Sequence, residues 1–98
     1  MRVRFNRAAL DDIDNILAYL AERNPFAAAA LLAKFEAAAR LIGRNAEIGK
    51  MTQRPNLRRI VVADYLLVYE IGMDAITIHY VRHGRRLRPW EGEQAQKP

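Results

Sequence analysis

The feature of this sequence that most constrains its fold is a pair of helical segments that meet at Asn24-Pro25. Asn24 is a good N-cap, and Pro25 occupies a first-turn position where its missing N–H costs nothing. Asn6 can cap the first segment, in which apolar residues recur at helical spacing: Leu10, Ile13, Leu17 and Leu20. A short break between two helices of this kind predicts an antiparallel helical hairpin.

The second segment is rich in alanine and runs from Pro25 to about Ile42, with Gly43 as its expected C-cap. The alanine runs 27–30 and 37–39 favour helix and are small enough to let two helices approach closely. The apolar stripe of this segment lies on one face and consists of Leu31, Phe35, Ala38 and Ile42.

Strand-like segments lie on both sides of the hairpin. Arg2–Phe5 alternates charged and apolar residues, and Leu57–Val62 follows a loop over residues 44–56. Tyr65–Ile71 is almost wholly apolar, as in a central strand that is covered on both faces. Tight turns are expected at 63–64 and 72–74. In the last strand, Ile76–Arg82, alternation predicts two sets on opposite faces: Ile76, Ile78, Tyr80 and Arg82 against Thr77, His79 and Val81.

The resulting order, β-α-α-β-β-β, predicts an α+β fold with an N-terminal strand and an antiparallel helix hairpin packed on a small, mainly antiparallel sheet. We expect one domain over residues 1–90 and a polar tail without regular structure over 91–98. There is no cysteine, no signal-peptide pattern and no run of about 20 apolar residues, which together predict a cytoplasmic protein without a membrane span.

Charge is distributed unevenly along the chain, whose net charge is +5. Basic and acidic residues balance up to Ala39, whereas Glu47 is the only acid between Arg40 and Arg59. Four arginines near the C-terminus have no acid among them: Arg82, Arg85, Arg86 and Arg88. The first basic segment alone suits a solvated face, but both together, with arginine preferred, predict a phosphate-bearing or acidic protein partner.

A possible catalytic group follows the last strand, where His83 precedes Gly84 among arginines. A histidine that is neutral near pH 7 can act as a general base, and Arg59 and Arg82 would hold a phosphodiester. The alternative is that His83 is a turn residue and His79 a structural one. Arg58 and Arg59 are adjacent and must point to opposite faces. Trp90 suits an interaction anchor and a lid on the sheet equally well.

Three segments in the same order resemble toxins of the ParE/RelE superfamily. Residues 9–25 are similar to the opening Ala-x-x-Asp-Ile helix with its Tyr-Leu-Ala pattern and Asn-Pro step. Residues 57–69 resemble the arginine-bearing strand followed by a Tyr-x-x-x-Tyr strand, and residues 76–86 resemble the closing strand with its His-Gly-x-Arg ending. The resemblance is closer to ParE, the plasmid stabilisation branch, and spans nearly the whole chain to about residue 88.

This resemblance implies a growth-inhibiting toxin in a hetero-oligomer with a cognate, ParD-like antitoxin that has an acidic C-terminal segment. ParE-like members inhibit DNA gyrase, and RelE-like members cut mRNA on the ribosome without a metal. The sequence lacks a lysine pair before the strands, having only Lys50 with Arg54, and no tyrosine follows Tyr80. We therefore expect a gyrase inhibitor rather than an enzyme. The alternatives are an endoribonuclease and a degenerate, non-toxic relative.

The resemblance and the charge pattern together assign the candidate residues. Under the ribonuclease alternative, the catalytic residues are His83, Arg59 and Arg82. No cofactor or metal is expected. The residues expected to bind the target or the antitoxin are Arg58, Arg59, Tyr80, Arg82, His83, Arg85, Arg86, Arg88 and Trp90.

Overall fold

The computed structural model describes residues 1–84 and confirms the α+β architecture. A short 3-10 turn and a two-residue strand lie within the segment that was expected to be only a loop, residues 44–56. The elements in chain order are β1 (Arg2–Phe5), α1 (Arg7–Arg23), α2 (Pro25–Arg44), the 3-10 turn (Ala46–Ile48), β2 (Lys50–Met51), β3 (Leu57–Val62), β4 (Tyr65–Ile71) and β5 (Ala75–His83).

Both helices begin at an asparagine cap, as the sequence predicts. The Asn6 side-chain oxygen accepts a hydrogen bond from the Ala9 N–H at 2.9 Å at the start of α1. The Asn24 side chain accepts the equivalent bond from Ala27 at 3.0 Å at the start of α2. Asn24 is the single residue between the helices. The chain therefore reverses at one residue, and the two helices form a hairpin.

The buried stripe of α2 is confirmed, whereas that of α1 differs from the prediction. Leu10 is 40% exposed, and the adjacent Ala9 is fully buried in its place. Ile13 is buried, and Leu17 and Leu20 pack against the core as partly buried residues. Because Ala9 is small, α1 lies close to the sheet at this point, and the bulkier Leu10 is rotated outward.

Gly43 is not the C-cap of α2, contrary to the prediction. The helix continues to Arg44 and is capped by Asn45. A Cβ atom at position 43 would lie 3.0 Å from the Met1 carbonyl oxygen and 3.2 Å from a Val3 methyl group. Gly43 therefore serves close packing, since it lets the start of β1 cross the end of α2.

The strands form one sheet in the order β1-β5-β4-β3-β2, in which β1 and β5 are parallel and the other pairs are antiparallel. The expected central position of β4 is confirmed, but the expected cover on both of its faces is not, because the helices pack on one side of the sheet. The β3–β4 hairpin turns at Ala63, whose φ of 55° lies in the left-handed region. The inner face of the sheet packs on the helices through Leu67, Tyr69, Ile76, Ile78 and Val81.

The other side, here called the outer face, is not covered by any element within residues 1–84. Cross-strand register and alternation along each strand assign its members. They are Arg2, Arg4, Lys50, Leu57, Arg59, Val61, Leu66, Val68, Glu70, Thr77, Tyr80 and Arg82.

A bulge in β5 overturns the expected alternation of its second half. The register shifts between Val68, which pairs with Tyr80, and Tyr69, which pairs with Ile78, so that His79 is the extra residue. An extra residue inverts the facing of everything after it. Ile76 and Ile78 share one face as predicted, and that face is the inner one. Tyr80 and Arg82 instead face outward, and Val81, which is 2% exposed, joins the core.

The two asparagine caps provide a matched test of how Asn6 contributes to stability. Asn6→Ala removes the cap of α1 and also a hydrogen bond from the Asn6 amide to His79 at 3.1 Å. We expect it to lower the free energy of unfolding by about 2 kcal/mol, against about 1 kcal/mol for Asn24→Ala, which removes a cap alone. Urea denaturation of the two variants checks this. Equal losses would show that the bond to His79 contributes nothing measurable.

Candidate binding surface

The outer face carries an excess of positive charge, since it holds five of the twelve lysines and arginines within residues 1–84 and only one acid. Glu70 is the only carboxylate on this face within residues 1–84. The five cations come from four different strands: Arg2, Arg4, Lys50, Arg59 and Arg82. The helices carry five basic and five acidic residues, so their charges balance: Arg7, Arg23, Lys34, Arg40 and Arg44 against Asp11, Asp12, Asp14, Glu22 and Glu36. The fold thus places a positive sheet face against a neutral helical layer.

Arg59, Tyr80 and Arg82, all predicted site residues, lie together on the outer face. Arg59 is opposite Val68, which is in turn opposite Tyr80. Arg59, Val68 and Tyr80 therefore form one row across β3, β4 and β5. The guanidinium carbon of Arg82 lies 4.5 Å from the centre of the Tyr80 ring, a cation–π contact. The structure therefore brings two arginines and an aromatic ring to one surface.

Arg58 points to the inner face and has a structural role within residues 1–84. Its Nη1 donates hydrogen bonds to the carbonyl oxygens of Gly49 at 2.8 Å and Glu47 at 3.2 Å. These contacts fix the segment before β2. Because β2 pairs with β3, they also hold Lys50 opposite Arg59. Arg58 supports the outer face from behind and is not part of it.

A buried tyrosine holds the same segment from β4. The Tyr69 hydroxyl donates to the Ala46 carbonyl at 2.7 Å and accepts from the Gly49 N–H at 2.9 Å. A Cβ atom at Gly49 would lie 2.6 Å from that hydroxyl oxygen, so only glycine fits. Sequence reasoning did not identify this anchor, although a tyrosine in an apolar central strand needs a polar partner for its hydroxyl.

His83 lies on the inner side of the sheet, away from Arg59. It is paired in register with Tyr65, and their rings meet edge to face at 5.0 Å between centroids. Both residues line a groove of about 500 Å³ beneath α1, with Asp12, Asn15, Ile16, Tyr19, Val81 and Arg82. The expected catalytic residues are therefore separated, with His83 in the groove and Arg59 on the outer face. Of the three, only Arg82 borders both the groove and the outer face.

The edge of β5 beside this groove is closed by a side chain from α1. The Val81 N–H donates to Asp12 Oδ2 at 2.9 Å. Because β1 pairs with β5 only as far as Ile78, this carboxylate provides the acceptor that a longer β1 would have supplied. Asp12 thus joins α1 to the strand that carries the candidate residues.

His79 has both ring nitrogens engaged, consistent with the structural role expected for it. Asn6 Nδ2 lies 3.1 Å from its Nδ1, and its Nε2 lies 2.7 Å from Glu70 Oε1. Since the Asn6 oxygen already caps α1, its amide is the donor to Nδ1, which leaves the Nε2 proton for Glu70. The chain Asn6–His79–Glu70 joins the start of α1 to the bulge. Neither ring nitrogen of His79 is free to accept a substrate proton.

The remaining predicted residues, Arg85, Arg86, Arg88 and Trp90, lie outside the described residues. Within residues 1–84, no group of three His, Asp or Glu side chains is arranged to hold a metal ion. None of the helices in that part of the chain is long and apolar enough to cross a membrane.

Comparison with known proteins agrees with this architecture. Residues 3–88 match the family described as the ParE toxin of the type II toxin–antitoxin system, parDE. The fold is similar to a solved chain titled "Chromosomal ParDE TA system from P. aeruginosa", with a TM-score of 0.72 and 16% identity over 85% of this chain and 95% of that one. No curated protein matches the sequence significantly.

The neighbouring arginines on β3 offer a test of the two assigned roles. Arg58→Ala leaves the Glu47 and Gly49 carbonyl oxygens without their donor, so we expect a loss of about 1–3 kcal/mol in the free energy of unfolding. Arg59→Ala should change it by no more than about 0.5 kcal/mol, as is usual for a surface substitution. Urea denaturation measures both. A larger loss for Arg59→Ala would reverse the assignment.

Proposed function

The chain belongs to the ParE toxin family of type II toxin–antitoxin systems, and from this premise we propose that it arrests growth by inhibiting DNA gyrase. The observation that carries the proposal is the division of the candidate residues. Arg59 and Arg82 lie on the outer face, whereas His83 lies in the groove beneath α1. A positive surface whose one carboxylate within residues 1–84, Glu70, is already bonded to His79 suits binding better than cleavage.

General acid–base catalysis is disfavoured by this geometry. A catalytic base must come within about 3 Å of the proton that it removes, or reach it through one water molecule. A phosphodiester held by Arg59 on the outer face would have the sheet between it and the His83 ring. His79 is on the correct face, but Asn6 and Glu70 occupy its ring nitrogens. These positions support a toxin that acts by holding its target.

The same surface suits neutralisation by a cognate antitoxin with an acidic C-terminal segment. Arg2, Arg4 and Arg82 are exposed and have no carboxylate within ion-pair distance among residues 1–84. An acidic segment lying over them would replace water with charge-assisted hydrogen bonds. We propose a toxin–antitoxin hetero-oligomer in the cytoplasm that contributes to plasmid stabilisation.

A ribosome-dependent endoribonuclease remains the second candidate, since Arg59 and Arg82 face the same way and can hold phosphate. In that mechanism a base outside the described residues, or the ribosome itself, would have to move the proton. A third candidate is a relative that has lost its toxicity and acts only in complex with its antitoxin.

Expression without antitoxin separates the three candidates. A gyrase inhibitor should stop growth and induce the DNA-damage response while protein synthesis continues at first. An endoribonuclease should stop protein synthesis first and leave cleaved mRNA. Unimpaired growth at a verified protein level would instead support the non-toxic relative. In all three cases the readouts are a damage-responsive reporter and pulse-labelled protein synthesis in the same culture.

Variants on the two sheet faces give a sharper prediction with purified protein and gyrase. Arg59→Ala combined with Arg82→Ala should weaken inhibition of supercoiling at least about tenfold, the loss of roughly 1.4 kcal/mol of binding. Arg40→Ala combined with Arg44→Ala removes the same charge from exposed positions on α2 and should have little effect. His83→Gln should also retain inhibition. If His83→Gln abolished toxicity in a folded protein, the ribonuclease would be favoured.

A further inference from the structure

We propose that the outer face is a binding site for the phosphate backbone of double-stranded DNA, and that the free toxin binds DNA without gyrase. This activity goes beyond inhibition of the enzyme and does not depend on it. If gyrase is the target, the same contact would help to hold the toxin where the enzyme holds DNA.

The first argument is the segregation of charge by the fold. The strands carry six basic residues and one acid, whereas the helices carry equal numbers of each. One of the six, Arg58, faces the loop before β2. The other five lie on the outer face, so the positive potential of the described chain is concentrated on one side. Such a surface attracts a polyanion from solution.

The second argument is that this charge is not neutralised within residues 1–84. The only outer-face carboxylate, Glu70, accepts a hydrogen bond from His79 at 2.7 Å. The ion pairs involving arginine lie on α1, where Arg7 meets Asp11 and Arg23 meets Glu22. The outer-face arginines have no comparable partner in this part of the chain. Anions from outside the fold would complete their coordination.

The third argument is the spacing of the cations. Arg2 and Arg4 are two residues apart on one strand, about 7 Å, and Lys50 and Arg59 are neighbours across about 5 Å. The five strands together span about 19 Å from edge to edge. Duplex DNA carries one phosphate per ~3.4 Å of each strand, so a face of this width meets several phosphates at once. Because Arg2 and Arg4 lie on β1 and Lys50 on β2, both edges of the sheet take part.

The composition of the face favours duplex backbone over single strands. Platforms for single-stranded nucleic acid need aromatic rings on which successive bases stack. Tyr80 is the one aromatic residue that residues 1–84 place on the outer face, and Arg82 already lies on its ring. Charge without a stacking series is typical of sequence-independent contact with phosphates. We therefore expect binding with little sequence preference.

The experiment measures binding of the purified full chain to a fluorescent duplex of about 20 base pairs by anisotropy over a range of salt concentrations. Binding should weaken as salt rises. Arg2→Gln with Arg4→Gln should lower the slope of log K against log salt by about 2, since each lost phosphate contact accounts for about 0.9. The Lys versions of the same pair should retain most of the affinity. The control, Arg40→Gln with Arg44→Gln, should leave the slope unchanged.

Two outcomes would overturn the proposal. Equal loss of slope in the α2 control would show that net charge alone governs binding. Competition by poly-glutamate that equals DNA, charge for charge, would show that the face recognises an acidic protein surface. A supercoiling assay on the same variants separates this proposal from gyrase inhibition. Inhibition that persists after DNA binding is lost would contradict a role for the contact on gyrase.

Discussion

The facing of every candidate residue on the last strand depends on a single bulge at His79. Before it, Ile76 and Ile78 point into the core. After it, Val81 points inward while Tyr80 and Arg82 point outward. If His79 were instead paired in regular register, strict alternation would bury Arg82 and expose Val81, at a cost of several kcal/mol for burying an unpaired guanidinium. The bulge therefore lets one strand supply both the core and a charged surface.

Side-chain hydrogen bonds connect the bulge to the start of α1 and to the neighbouring strand β4. Asn6 caps α1 with its oxygen and binds His79 with its amide, and Glu70 holds the other ring nitrogen. Asp12 completes the free edge of β5 at Val81. The helical hairpin carries none of the outer-face cations, but its N-cap Asn6 and its residue Asp12 hold β5, the strand that bears one of them. The chain of contacts from Asn6 ends at Glu70 on the outer face, and Asp12 supports the same strand from its edge.

The sequence was sufficient to predict both helices and the four longer strands, but not the two-residue β2 or the facing of β5. The two asparagine N-caps, the hairpin turn at residues 63–64 and the central position of β4 all follow from local rules of capping, turn chemistry and apolar patterning. The bulge was missed because strict alternation was assumed from Ile76 to Arg82. The signal was nonetheless present, since the apolar residues at 76, 78 and 81 are spaced by two and then by three. The sequence correctly predicted that Arg58 and Arg59 point to opposite faces of the sheet. It could not predict that Arg58 is the one that bonds the loop before β2, because that depends on tertiary contacts.

The basic residues near the N-terminus illustrate why charge along a sequence is an incomplete guide to charge in space. Along the sequence, Arg2 and Arg4 are balanced by the aspartates of α1, all of which occur by residue 14. The sheet instead pairs β1 with β5, placing both arginines on the outer face, whereas α1 lies on the other side. The parallel β1–β5 pairing thus joins the first and the last strand within residues 1–84 into one surface. A partner that recognises this surface must contact β1 and β5 at once, so its affinity depends on the folded sheet and not on any single basic segment.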